Sequence, residues 1–482
     1  MVRTMNKILV VGSLSLIFIA GCSHFNGRAV REKNAKEYRS NLVGETNEIL
    51  STKQSFGLND CISIALQNNL QIRASQIQQK IAKLERKVSF ANFLPAVNLD
   101  YTSTRWSQQP KIMSGGSPVA MQDQSIRDIT WQFQMSIFDP STWFLYAMHQ
   151  RGEETAQIVT KYTAQLTVLD VVINYYHCLM LQQELQALHS QLDAAKELEK
   201  ETGQLYSQGQ VVEWQYQQTQ VAVLSRQTDF NRTDYALKQA YADLLASMSL
   251  SPLAEIKLNI EQPLKEPNEP LEDLVYKAMI ENPQLQIADR NVAIEEEKVK
   301  VALAAFLPRL TIFANHSTTS NSFDVPETLW SYGFAGTMTI FNGFANINEY
   351  NAAKERRKVS FIEREQQTLV VMLQVLKAHL NLENAKDEQL FAGRSFDVIS
   401  KHSDEIYEKW KQGQVQSSEM LNMMAEKGNA QMEFMNSNFR LQVCIATLQN
   451  VMGITDIQSI DEKKNESRTF RHSNNNSKGL GK

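Results

Sequence analysis

Residues 58–95 read LNDCISIALQNNLQIRASQIQQKIAKLERKVSFANFLP, and residues 271–308 read LEDLVYKAMIENPQLQIADRNVAIEEEKVKVALAAFLP. The two align without a gap at an offset of 213, with twelve of 38 positions identical. Self-similarity at this level marks a duplicated unit. Further landmarks recur in the same order. Ser136-Ile137-Phe138-Asp139-Pro140 answers Thr339-Ile340-Phe341-Asn342-Gly343 at an offset of 203, and Gln208-Gly209-Gln210-Val211 answers Gln412-Gly413-Gln414-Val415 at 204. The halves also close alike, over 244–250 and 448–454. The main length change separates 96–137 from 309–340, as a duplicated domain with one variable loop requires.

Each half reads as helix, strand, loop, strand, very long helix, tight turn, helix. Over 58–92 the apolar residues Ile62, Leu66, Ile77, Ile81, Leu84 and Val88 keep helical spacing, which stops at Leu94-Pro95. Beyond the proline the period becomes two. In 128–138, Ile129, Trp131, Phe133, Met135 and Ile137 alternate with polar residues, and 330–340 repeats the pattern from Trp330 to Ile340. Their partners are 97–106 and 310–319, the latter alternating less cleanly. Strands of about ten residues with aromatic ends suit a tilted membrane strand. The same alternation would also serve a soluble sheet packed on helices. Trp106, Trp131, Trp143 and Trp330, four of the six tryptophans, lie in or beside these segments as an interfacial girdle would require. The connecting loops are polar. Four strands cannot close a barrel, and open edges are not tolerated in lipid, so several copies of the chain must contribute to one barrel. The order of that oligomer does not follow from the strand count.

Proline-free runs follow the second strand of each half, from about 141 to 205 and from about 346 to 409. The first corresponds to roughly 95 Å of helix at 1.5 Å per residue. The flanking helices 58–92 and 213–248 are about half as long, so two stacked end to end would match one long helix in a coiled-coil shaft.

Composition agrees. With 19 Gly and 11 Pro in 482 residues, the chain favours long uninterrupted elements. It is 43% hydrophobic and 21% charged with a formal net charge of −4, and its mean hydropathy is −0.36. That excludes a helical membrane transporter and a chain disordered throughout, and supplies no basic field for nucleic acid. No CxxC, HExxH, GxSxG or P-loop pattern occurs, the eight histidines are scattered, and Cys61, Cys178 and Cys444 form no disulfide framework. No catalysis and no cofactor are expected. Met420, Met423, Met424, Met432 and Met435 form a cluster that fits a Cu(I) path, but at this spacing fits core filling better.

The N-terminus carries Arg3 and Lys7 before a thirteen-residue apolar run, 8–20, too short to span a bilayer and suited to a secretory signal. Its end, Ile19-Ala20-Gly21-Cys22, resembles the bacterial lipobox, although an ordinary signal that happens to end in Cys remains open. In the lipoprotein reading 1–21 is removed, Cys22 takes the lipid, and Ser23 in place of Asp favours outer-membrane sorting. The expected organisation is then a lipidated extension 22–55, a first repeat 56–250, a proline-rich linker 251–270, a second repeat 271–455 and a disordered polar tail 456–482.

Lipobox, paired halves, the FLP before each first strand, the IFD/IFN before each long helix and the QGQ turns together resemble the TolC-like outer-membrane efflux and secretion channel family. The resemblance covers roughly 56–455. It implies a mostly helical fold with a membrane β-barrel: a homotrimer with a twelve-stranded barrel and a helical periplasmic tunnel. It also implies a passive exit duct fed by a periplasmic adaptor and an inner-membrane pump, with small-molecule efflux and protein secretion both open. A lipidated periplasmic scaffold that never enters the membrane is the reading from another class. In the family a glycine ends each long helix at a tip that binds the adaptor. Gly209 and Gly413 match it, with Trp410 and Gln215 beside them. Acidic residues six and nine positions past the second glycine constrict the family's tunnel. Here those positions are Glu419 and Asn422, so a doubled acidic ring is in doubt.

Overall fold

The computed structural model describes residues 26–259 and 263–454. The signal segment 1–21, the lipidation expected at Cys22 and the whole tail 456–482 lie outside them. Within the described residues the two halves repeat one plan. Helix α1 (Gly27–Leu50) precedes the first repeat. That repeat holds α2 (Leu58–Asn68), α3 (Leu70–Ala91), β1 (Ala96–Arg105), a small hairpin of β2 (Lys111–Ser114) and β3 (Ser117–Ala120), β4 (Ser125–Phe138), α4 (Pro140–Ser207) and α5 (Glu213–Ser247). The second repeat holds α6 (Leu271–Glu281), α7 (Pro283–Ala304), β5 (Arg309–Thr319), β6 (Thr328–Thr337), α8 (Ala345–Lys411) and α9 (Ser417–Val451).

The helix expected over 58–92 is two helices. The break falls at Asn69, whose ψ of 126° leaves the helical region. Its side-chain oxygen accepts from Gln71 N at 2.8 Å, capping α3, while Nδ2 donates to Ser247 O at 2.9 Å, at the end of α5. Asn282 does the same in the second half: its Oδ1 accepts from Gln284 N and its Nδ2 donates to Val451 O, both at 2.8 Å. One buried asparagine thus satisfies orphan groups of two helix ends. It stacks α5 below α3 and α9 below α7. The apolar spacing runs through both breaks, at Asn69 and Asn282.

Each stacked pair runs beside a long helix. The packed order across the shaft is α3/α5, then α4, then α7/α9, then α8. Two core clusters sit at the level of the asparagines. One gathers α2, α4 and α5 around Val171, Tyr175, Leu244 and Met248; the other gathers α6, α8 and α9 around Leu274, Val375, Leu382 and Leu448. The segment before α2 pairs with the linker here, Phe56 N donating to Lys257 O at 2.8 Å and Asn259 N donating to Phe56 O at 2.9 Å.

Candidate functional site: the sheet faces and the hairpin tips

The four long strands form one antiparallel sheet in the order β1-β4-β5-β6. Register fixes which residues share a face. One row across the sheet is Leu99, Trp131, His316 and Trp330; the next is Val97, Phe133, Ala314 and Tyr332. The intervening row is Asn98, Gln132, Asn315 and Ser331. One face is therefore aromatic and aliphatic, the other dominated by amides and hydroxyls. The apolar face meets nothing within the chain, Tyr332 being 83% and Phe334 80% exposed.

The rows are staggered against the strand ends. The row through Trp131 starts three residues from the helix end of β1 and finishes two from the loop end of β6, as tilted strands require. Trp106 and Trp330 accordingly sit near the loop end and Trp143, on α4, at the helix end. Trp131 lies between, at neither boundary. Aromatic residues that the sequence reading passed over thicken the helix end: Phe138 meets Trp143 at 5.6 Å and Phe341 meets Phe344 at 5.3 Å. Phe138 and Phe341 occupy the repeated IFD and IFN motifs, which was the available signal, and Phe344 lies two residues past the second. At the loop end Asp123 ties the two connections together, accepting from Ser322 N at 2.6 Å while its own N–H donates to Asn321 Oδ1 at 3.0 Å.

At the opposite end of the shaft the long helices turn. Gly209 and Gly413 have φ of +71° and +72°, and each closes its helix with a pair of turn bonds. Gln210 N donates to Leu205 O and Gly209 N to Tyr206 O, both at 2.9 Å; Gln414 N and Gly413 N repeat this onto Lys409 O and Trp410 O. This is the glycine-closed helix C-terminus, which a side chain would strain.

Behind the second tip lies a small core of Leu198, Ile406, Trp410, Met420 and Met423. Trp410 is only 8% exposed, stacks on Tyr407 at 6.0 Å, and donates Nε1–H to Ser417 Oγ at 3.4 Å. It holds the hairpin together instead of projecting from it. Met420 and Met423 fill the same core, and no group of three metal-ligating His, Cys, Asp or Glu side chains exists among the described residues. Glu419 and Asn422 lie one turn apart on the exposed side of α9, opposite those methionines. Gln215 is occupied locally, its Oε1 accepting from Val212 N at 3.1 Å. The aromatic surface of the first tip comes from residues the sequence reading did not single out: Trp214, 57% exposed, and Tyr206, stacked on Tyr216 at 5.6 Å.

The family model of outer membrane efflux proteins matches residues 61–249 and 274–401, one stretch within each repeat. The chain belongs to the outer membrane efflux protein family. Solved structures of similar fold include outer-membrane channels. CmeC of Campylobacter jejuni matches over 84% of this chain and 88% of its own, at 16% identity and a TM-score of 0.73. VceC of Vibrio cholerae matches over 82% and 96%, at 13% identity and a TM-score of 0.70. The open state of MtrE of Neisseria gonorrhoeae matches over 82% and 89%, at 15% identity and a TM-score of 0.70. No curated protein matches at a significant level. No described helix is long and apolar enough to cross a membrane.

Proposed function

We propose that this outer membrane efflux protein works as a homotrimeric exit duct. Three four-stranded sheets close into a twelve-stranded barrel in the outer membrane, and the helices form a tunnel through the periplasm. A periplasmic adaptor and an inner-membrane pump deliver small molecules to it, and the duct conducts them without chemistry of its own. The observation that carries the reading is the sheet: an apolar face with no partner in the chain, a polar face behind it, and two open edges. In lipid the apolar face contacts acyl chains, the polar face lines a water-filled lumen, and edge N–H and C=O groups must pair between protomers.

At the tips, the three copies of Glu419 form a ring of carboxylates at the tunnel entrance that attracts cations and repels anions. Asn422, one turn further, adds hydrogen-bonding capacity without charge. The test of the duct is the native mass of the protein extracted in mild detergent from separated outer membranes. Trimers are expected. A monomer released without detergent once the lipid is removed would instead identify a periplasmic scaffold. For the ring, Glu419→Ala should reduce the cation preference of single channels in a planar bilayer, and unchanged selectivity would reject it.

A further inference from the structure

The shaft carries unpaired cations just below the sheet, and the strands fix which way they face. Trp106 N donates to Gln124 O, so the even residues of β1 direct their backbone groups at β4 and the odd ones at the free edge. In a strand of L-residues climbing away from the helices, a side chain facing the observer sets its own N–H and C=O to the right. The apolar residues of β1 (Val97, Leu99, Tyr101) are odd, so from the apolar side β4 lies to the left of β1. The helices below keep that order, α3 at the right and α8 at the left. Lys80, Lys83 and Lys87 each follow a half-buried residue on the flank of α3 that packs on α4, namely Gln79, Ala82 and Arg86. One step of a right-handed helix turns about 100°, and on a helix climbing toward the sheet it turns from α4 toward the apolar side. Lys354 follows the buried Ala353 on α8, which descends with α7 on its other hand, and so turns to the same side.

We infer that this face binds the anionic headgroups of the phospholipid leaflet that meets the shaft. It rests on the duct reading, which puts the sheet in the bilayer with its apolar face toward lipid. Counted from Ala91, the end of α3, and Ala345, the start of α8, the four ammoniums lie about 6–17 Å below the helix ends. Trp143, exposed in the first turn of α4, marks the boundary above them. Lysine stems can lie along the helix surface while their heads reach the headgroup layer. The three lysines of α3 are exposed, Lys354 sits over the Tyr350 ring at 5.3 Å, and none of the four has an ion pair among the described residues. The carboxylates at this level do not neutralise them. Glu153, Glu154, Glu295, Glu297, Glu349 and Glu355 each pair with an arginine or another lysine, and Asp139 faces Arg309 at 3.8 Å. Glu85 stands on the opposite flank of α3, and Glu296 is half-buried on α7. When the free edges of neighbouring sheets pair, α8 of one protomer stands beside α3 of the next. Lys354 then joins Lys80, Lys83 and Lys87 in one cationic cluster at each seam.

The test is native mass spectrometry of the full chain in detergent micelles doped with equal amounts of phosphatidylglycerol and phosphatidylethanolamine of the same acyl chains. At low salt the protein should retain phosphatidylglycerol at least about fivefold over phosphatidylethanolamine, the factor expected for one lysine at an anionic surface. The triple variant Lys80→Gln, Lys83→Gln, Lys87→Gln should lose that preference while keeping the oligomer mass seen in the same spectrum. Equal retention by the parent, or an undiminished preference in the variant, would overturn the inference. Lysine acylation of the unmodified chain in vesicles gives a second reading that needs no variant. Lys83 and Lys87 should react about fivefold more slowly in phosphatidylcholine with phosphatidylglycerol than in phosphatidylcholine alone, and the difference should vanish in 1 M salt. Slow reaction in both bilayers would place a second protein copy on this face and overturn the lipid assignment. Protection that inorganic phosphate reproduces without anionic lipid would overturn it in favour of a free anion. A chain that does not enter vesicles overturns the duct reading as well, whereas trimers that enter and show no preference overturn this inference alone.

Discussion

At the scale of single residues, Asn69 and Asn282 decide how the shaft is assembled. Each is buried and each serves two helix ends, so removing the amide leaves both a carbonyl and a cap unsatisfied. Asn282→Ala should cost about 1–3 kcal/mol, seen as a lower Tm of the detergent-solubilised protein, and Asn69→Ala should behave alike. Asn282→Asp keeps the acceptor but loses the donor to Val451 O, so a Tm equal to the parent's would show that this donor contributes nothing. Their identity at equivalent places was legible in the alignment. Their role was not, because the apolar spacing continues on both sides of each asparagine and does not reveal the break. A second expectation concerns Cys178, fully buried beside α2 and α5. Burial, reinforced by Cys61 and Asp243, pushes its thiol up to about 12. Iodoacetamide at pH 8 should leave Cys178 unmodified in the folded protein and alkylate it in urea, since only the thiolate reacts. Labelling of the folded chain at the urea rate would show that the core around Tyr175 is open.

At the scale of elements, the sheet and the long helices were readable because their periods are long and unambiguous. The strands expected at 128–138 and 310–319 appear at Ser125–Phe138 and Arg309–Thr319, and the long helices end within two residues of the sequence reading. Two elements were not readable. Helix α1 has no apolar face, so nothing in 27–50 distinguishes it from the polar extension expected there. The β2–β3 hairpin is four residues a side inside a loop read as polar, although Gly115-Gly116 supplied a turn signal. At the tips the glycines were legible, whereas the burial of Trp410 needed the packing of α8 on α9. The two faces of the sheet give a direct test. Phe334→Arg places a charge on the lipid side of the barrel and should cost about 2–4 kcal/mol of insertion if it lies near the midplane. Ser331→Arg, on the opposite face, should be tolerated. The check is the amount of folded protein in the outer-membrane fraction. Equal losses from both variants would mean that the faces are not lipid and lumen.

At the scale of the whole molecule, shaft and sheet end on the same elements. The outer members of the shaft are α3/α5 on one side and α8 on the other. The outer strands are β1 and β6, and β1 follows α3 while β6 leads into α8. One rotation that sets β6 of a protomer against β1 of the next therefore also sets α8 against α3/α5, which is the condition for a closed head-to-tail ring. The side chains on those free faces fit that arrangement. Ile77, Ile81, Leu84 and Val88 make an exposed stripe on α3, and Ile362, Leu369, Leu373 and Leu380 make another on α8. Neither contributes to a core within the protomer. A charge in either stripe should thus leave the protomer folded and break the ring. Ile81→Glu and Leu373→Glu, 40% and 50% exposed in the single chain, should each shift the detergent-extracted mass from trimer toward monomer with little change in helical circular dichroism. Trimers that survived both substitutions would place the protomer contacts elsewhere. The shared edge of sheet and shaft would then have to be closed by something other than a second copy of this chain.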